Sequence, residues 1–288
     1  MQIQNYMAVI LGSVLMFLSV TSNAFLTEEN FDGQTNGQRC SPPFWPDSKD
    51  STIDTDPIRL NSKSCKFAVT DGGLDWGGGF VFGAPDSQVV LIDGDQAWIR
   101  FRLFIPQGFD YNSYDAGNRL KFIRIALKSA GGVVNYLNWY WLQEGQTEFP
   151  PYGIYMSGDA CTTDCWQYFG DNNAKPVRGA WETYEMYVKF GHTATIDGGQ
   201  AMTRIWKNGK LIGELIDRPT MWPDSVEAVS FKIFSYWNGG APATQHLYFD
   251  DLVATSVVPG TKDVAGNPYI GVGDFVYVAP PDPPTPPR

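Results

Sequence analysis

Three short runs combine cationic or amide side chains with aromatic rings at two-residue spacing. In Trp98-Ile99-Arg100-Phe101-Arg102-Leu103-Phe104-Ile105, an extended chain puts Ile99, Phe101, Leu103 and Ile105 on one face and Trp98, Arg100, Arg102 and Phe104 on the other. Guanidinium groups grip carboxylates through paired hydrogen bonds, and aromatic faces lie against the C–H faces of pyranose rings, so the second face suits an acidic or hydroxyl-rich ligand. In Asn135-Tyr136-Leu137-Asn138-Trp139-Tyr140-Trp141-Leu142-Gln143, Tyr136, Asn138 and Tyr140 share a side, as aromatic bodies with polar tips, opposite Leu137, Trp139 and Trp141. In the run Val229 to Asn238, one face offers Ser230, Lys232, Phe234 and Tyr236, with the cation and the Tyr236 phenol roughly 13 Å apart along the strand. That separation fits neighbouring subsites better than one hydrogen-bonded dyad. Glu185, Tyr187 and Lys189 form a further polar side in the run from Thr183. For each run the plain alternative is a solvated outer face with cation–π pairs, or core aromatics whose hydroxyls are satisfied.

Other chemistries find less support. The two histidines, His192 after Phe190-Gly191 and His246 before Phe249-Asp250-Asp251, fall in no nucleophile or metal-ligand motif. Two-carboxylate sugar hydrolysis needs a close acid pair, and Glu182 and Glu185 fall on opposite faces of their strand.

Positioning such faces requires strands, and strand signals dominate. Runs rich in Val, Ile, Phe, Tyr and Trp are punctuated by Gly, Asn, Asp and Pro, and no long segment has the 3.6-residue period of a helix. The runs 88–92, 97–105, 120–127, 133–142, 153–156, 183–190, 201–206, 210–215, 228–236 and 246–256 predict an all-β chain of two packed sheets. Asn208-Gly209 between Ile205-Trp206-Lys207 and Lys210-Leu211-Ile212 marks a two-residue hairpin.

The ends of the chain read differently. Met7 to Val20 is an uncharged apolar run followed by Ser22-Asn23-Ala24, which predicts a signal peptide over residues 1–24, one sandwich domain over 25–279, and a secreted, extracellular or periplasmic protein. No later run is long and apolar enough for a membrane span. Residues 280–288 hold six prolines and predict an extended tail. In an exported chain four cysteines favour disulfides over a zinc site, and the expected pairs are Cys40 with Cys65 and Cys161 with Cys165. With 31 acidic and 21 basic residues the net charge of −10 disfavours nucleic acid as a partner, although a local basic face can coexist with it.

Glu29-Asn30-Phe31-Asp32-Gly33, the Arg100-Phe101-Arg102 strand, the Trp206-Lys207-Asn208-Gly209 hairpin and the final Tyr248-Phe249-Asp250-Asp251-Leu252-Val253 run together resemble the concanavalin A-like lectin/glucanase superfamily, in particular its heparin-lyase-like and alginate-lyase-like branch. The resemblance spans most of residues 28–256 in order of elements and implies an antiparallel jelly-roll sandwich with a concave sheet facing a polysaccharide. Arg100-Phe101-Arg102 is similar in part to that branch's R-x-E-x-R strand, and Phe231-Lys232-Ile233-Phe234-Ser235-Tyr236-Trp237-Asn238 to its Y-F-K-x-G-x-Y-x-Q strand, with Lys232 and Tyr236 in register. In a lyase, Tyr236 would transfer the proton while Lys232 or Arg100 neutralised the uronate carboxylate, which makes the C5 proton acidic enough to remove. The branch's Q-x-H strand corresponds to NYLNWYWLQ, which has no histidine. The first expectation is therefore a secreted carbohydrate-binding protein that uses Arg100, Arg102, Tyr136, Asn138, Tyr140, Lys232 and Tyr236. A polysaccharide lyase and a structural or adhesive surface protein tethered by its tail are the alternatives. No cofactor is required, although the resemblance implies a structural calcium ion near Asp32, Asp250 and Asp251.

Overall fold

The computed structural model describes residues 24–41, 43, 45–46, 51–55, 63–74, 77–83, 89–111, 120–141, 152–157, 166–169, 176–223, 225–237 and 239–273, with backbone alone at 45–46, 134, 141, 152–157, 166–169 and 235. Runs of β-branched and aromatic residues bounded by Gly, Asn and Pro become strands because their side chains pack well on a pleated surface. They are β1 (Leu26–Glu29), β2 (Trp45–Pro46), β3 (Thr52–Asp54), β4 (Ser64–Val69), β5 (Gly78–Val81), β6 (Gln96–Phe104), β7 (Leu120–Ser129), β8 (Gly132–Trp141), β9 (Tyr152–Ser157), β10 (Trp166–Phe169), β11 (Trp181–Lys189), β12 (Met202–Lys207), β13 (Lys210–Leu215), β14 (Glu227–Trp237) and β15 (Gln245–Thr255). The one described helical element is a single 3-10 turn, Thr195–Asp197.

Two sheets result. The first runs β13-β12-β11-β6-β15-β4-β3, with β1 also pairing to β15; the second runs β10-β9-β8-β7-β14-β5-β2. All pairings between these strands are antiparallel. Between the sheets lies an apolar core that joins Ile99, Phe101, Leu103, Tyr184, Met186, Val188, Phe67 and Phe249 of the first to Phe122, Ile123, Ile125, Leu137, Trp139, Phe231 and Ile233 of the second. Phe101 stacks on Tyr184 and Phe249 from neighbouring strands and meets Phe122 of the facing sheet at 5.9 Å, so aromatic contacts tie both layers at the centre.

Two bulges set the phase of the second sheet. On β7 the pairing with β8 shifts between Lys121 and Ile123, and on β14 the pairing with β7 shifts between Ile233 and Tyr236. Each adds a residue that turns inward: Phe122 and Phe234 are fully buried, 5.1 Å apart. Phe234 pays for this with a left-handed backbone, φ 49°, which few bulky residues adopt. β5 lies tight against the bulge because it opens on Gly77, Gly78 and Gly79: a Cβ at Gly77 would strike the Ile233 carbonyl, and one at Gly79 the Phe231 carbonyl.

Nine of the ten runs read from the sequence are strands, with ends moved by one or two residues; of the run 88–92, the described part makes only a bridge from Leu91 to Ala228. β1, β2, β3, β4, β5 and β10 went unread; five of them have four residues or fewer, and Gly78-Gly79 also hides β5. Phe234, expected beside Lys232 and Tyr236, is in the core instead, because the bulge breaks the alternation. The predicted signal peptide apart from Ala24, the Cys161–Cys165 pair and the tail lie outside the described residues.

Cys40 and Cys65 form a disulfide that closes a loop of sequence separation 25 and ties the chain after β1 to β4. Loop-closure entropy for that length predicts that Cys40→Ala with Cys65→Ala lowers unfolding stability by about 3 kcal/mol, read from urea denaturation.

Candidate glycan-binding face

Side chains of the second sheet that point away from the core line up in cross-strand rows. Register places Gly79, Lys232, Arg124, Asn138 and position 155 in one row. Ser230, Ala126 and Tyr136 form the next row, and Tyr236, Lys121 and Tyr140 lie on the other flank. Three cations and three phenols thus share one face of β7, β8 and β14. Lys121 Nζ stands 4.5 Å from the centroid of the Tyr236 ring, and the Arg124 guanidinium carbon stands 3.7 Å from that of Tyr136. Arg124 Nε donates to Asn138 Oδ1 at 2.9 Å, and Asn138 Nδ2 donates to the Tyr136 carbonyl at 3.2 Å. The guanidinium is therefore held flat by a ring on one side and an amide at one edge. Asn138 and Tyr140 are buried within this layer at 1% and 5% exposure, whereas Lys121, Arg124, Lys232, Tyr136 and Tyr236 are half-buried.

Arg100 and Arg102 lie elsewhere. They are on β6, in the first sheet, and point away from the core on the opposite side of the sandwich. Residues 262–273 cross that side as a strap. Arg100 Nη1 donates to the carbonyls of Gly271, at 3.2 Å, and Gly273, and Arg102 Nη2 donates to that of Val272 at 2.8 Å. Glu185, the cross-strand neighbour of Arg100, accepts the N–H groups of Ile270 and Gly271. Trp98 Nε1 donates to the Pro268 carbonyl, and Trp206 donates to Asp263 and stacks on Tyr269. Ile270 packs with Trp98, Val253 and Tyr187. Arg100 also lines a cavity of about 360 Å³, but Glu28, Glu29 and Asp251 share that lining and would repel a uronate. The grouping of Arg100 and Arg102 with Lys232 and Tyr236 is therefore corrected: the two pairs occupy different sheets.

Burial governs the acids under the strap and beside it. Glu185 is 2% exposed, and loss of water pushes its carboxyl up to about 7 against the opposing pull of the Ile270 and Gly271 N–H groups and Arg100. Asp250, wholly buried, is pushed up to about 8 by burial and then by the neighbouring charge of Asp251, with Asp32 adding to the effect. Donation from the Trp206 indole, then from the Asn267 side chain and the backbone N–H groups of Asn267 and Ala265, outweighs burial and holds the Asp263 carboxyl below the usual range.

His192, His246, Lys189 and Glu182 each have partners within the fold. His192 donates its backbone N–H to Asp93, His246 packs edge-on against Tyr248, and Lys189 donates to the Gly94 carbonyl. Glu182 is buried in an ion pair with Lys207 at 2.7 Å and accepts from Tyr184. Among the described residues no three His, Cys, Asp or Glu side chains converge as metal ligands.

Sequence reasoning missed Lys121 and Arg124. In strict alternation 121 and 124 fall on opposite faces, so a basic pair was invisible in Leu120-Lys121-Phe122-Ile123-Arg124; the bulge puts both outward.

The architecture is a two-sheet antiparallel jelly-roll sandwich, a fold that solved alginate lyases share. Among solved structures, the chain is similar to a variant of the alginate lyase Aly36B in complex with alginate trisaccharide, at TM-score 0.57 and 12% identity over 81% of this chain and 98% of that one. A second Aly36B variant, in complex with alginate tetrasaccharide, gives 0.52 and 13% identity over 81% and 97%. The marine alginate lyase of Aplysia kurodai gives 0.50 and 11% identity over 75% and 91%. At these identities the likeness is one of fold. No family model matches the sequence, and no curated protein matches it.

The strap makes a prediction about Arg100 and Glu185. Arg100→Met leaves Glu185 buried without its cation and should cost about 3 kcal/mol of stability, measured by urea unfolding. Because Glu185 ionises near 4.5 when unfolded but near 7 in the fold, the folded state alone keeps the proton between those values. Its contribution is full below about pH 4.5 and is lost as pH rises to about 7, on the order of 3 kcal/mol, and Glu185→Gln should remove that part of the slope.

Proposed function

We propose that this is an exported protein that binds an anionic, uronate-containing polysaccharide on the outer face of β7, β8 and β14. The observation that carries this reading is the common face of Lys121, Arg124 and Lys232 with Tyr136, Tyr140 and Tyr236. A polyuronate repeats a planar carboxylate and an apolar ring face along its length, and this face repeats a cation and an aromatic ring. Arg124 is preset for a carboxylate by its contacts with Asn138 and Tyr136, so little side-chain freedom is lost on binding. The protein is acidic overall, which confines attraction for a polyanion to this face. The apolar run Met7 to Val20 supports export, with Phe25 as the mature N terminus to be checked by N-terminal sequencing.

Alginate, the glycan bound in the similar structures, is the first polymer to test. Arg124→Ala and Lys232→Ala should each weaken binding by about tenfold or more in titration calorimetry, since each removes a charge-assisted contact. Added salt should weaken wild-type binding. Unchanged affinity in both variants would refute the assignment of this face.

A second reading, cleavage by β-elimination, is favoured by Lys121 over the Tyr236 ring. With the uronate carboxylate neutralised by Arg124 or Lys232, Tyr236 would take the C5 proton as phenolate; the C4–O4 bond breaks, a C4=C5 double bond forms, and the leaving oxygen takes a proton. Unsaturated product, followed by ultraviolet absorbance, should then appear with wild type and fall about 100-fold or more in Tyr236→Phe. No product from any uronic-acid polymer would leave binding as the function.

A further inference from the structure

At one end of the first sheet, Asp32, Asp250 and Asp251 gather where β1 and β4 meet along the same side of β15. We infer that the cation of this site is the ammonium of Lys63, and that the chain closes its terminal-strand turn without a metal ion. This inference is independent of the proposed glycan face.

β1 pairs with Leu252 to Thr255 of β15, and β4 pairs with Gln245 to Phe249, so a gap between them falls at Asp250 and Asp251. There β15 bulges, and Asp251 takes a left-handed backbone, φ 48°. The turn after β1 folds into the gap and aims its carbonyl oxygens at Lys63: Nζ donates to Asp32 O at 2.7 Å and Gln34 O at 2.5 Å, while the Lys63 backbone N–H donates to Asp32 Oδ1 at 3.1 Å. Glu29 orders the same turn by accepting the Phe31 N–H and Gln34 Nε2, and the Gln34 side chain in turn bonds to Ser41. The Cys40–Cys65 disulfide, two residues beyond Lys63, fixes the ammonium's strand to the chain that follows the turn.

Backbone carbonyls beside carboxylates are what a calcium ion takes as ligands, and it requires six to eight oxygens. Here the two converging carbonyls already accept from an ammonium, which needs only two or three acceptors. A second positive group stands close by, with Arg102 Nε 3.3 Å from Asp251. The ammonium seated on the two carbonyls and the guanidinium beside Asp251 oppose entry of a divalent ion into the same space. The site therefore does not fit calcium as presented: Lys63 takes the carbonyls an ion would need, and Arg102 balances Asp251.

The test is thermal unfolding of the full chain in EDTA, in millimolar CaCl2, and in MgCl2 at matched ionic strength. The wild-type midpoint should move by less than about 1 °C among the three, whereas Lys63→Met should unfold on the order of 5 °C lower in every buffer. Lys63→Arg, which keeps the charge and the donors, should recover more than half of that loss. A calcium-specific rise of several degrees in the wild type overturns the inference, and that measurement stands even if Lys63→Met does not fold. A Lys63→Met midpoint equal to wild type also overturns it.

Discussion

Phe122 and Phe234 are extra residues in neighbouring strands, and each turns into the core where regular alternation would have sent one of the two outward. Burying an aromatic ring removes 150–250 Å² of surface from water, enough to outweigh a strained φ at one residue and the loss of a regular ladder bond. The chemical face depends on this choice. Once both rings point inward, Lys121 comes round to join Arg124 and Tyr236 keeps company with Lys232, so three cations lie across two adjacent strands. The glycines of β5 belong to the same arrangement, since only a strand without side chains there can approach the bulged backbone.

The two outer faces of the sandwich look alike in composition and differ in what covers them. Arg100, Arg102, Trp98 and Trp206 have the residue types of a ligand face, yet residues 262–273 occupy it, with Glu185 taking backbone N–H groups and the arginines giving to backbone carbonyls. A carboxylate and a guanidinium side by side on neighbouring strands match the alternating donors and acceptors of an extended chain, so they hold it with little demand on its side chains. The cost is a buried carboxyl whose ionisation the fold resists. At the adjoining end Arg102 stands beside Asp251, and the Lys63 ammonium takes backbone carbonyls of the turn after β1.

The fold was legible in the sequence where burial is regular. Val, Ile, Phe and Trp at every second position in β6, β8 and β11 marked core sides that the structure keeps, and Asn208-Gly209 marked its hairpin. The Tyr136, Asn138 and Tyr140 side of β8 was read correctly because the extra residue at the shift, Phe122, is on β7, and β8 pairs with β9 without interruption from Tyr136 to Trp141. Short strands such as β1 and β3 carry too few residues to show a period, and they form because β15 and β4 present paired edges to them.

The sequence by itself determined an all-β chain of two layers and the residue types available for a sugar acid, because alternation and turn chemistry act over a few neighbouring residues. Only the tertiary structure decided which of those residues share a face. A bulge shifts side chains to the other surface through pairing with a strand far away in sequence, and a strap from the C-terminal end covers the face of Arg100 and Arg102, opposite that of Lys121, Arg124 and Lys232. Both effects arise between segments distant along the chain, where a local pattern carries no signal.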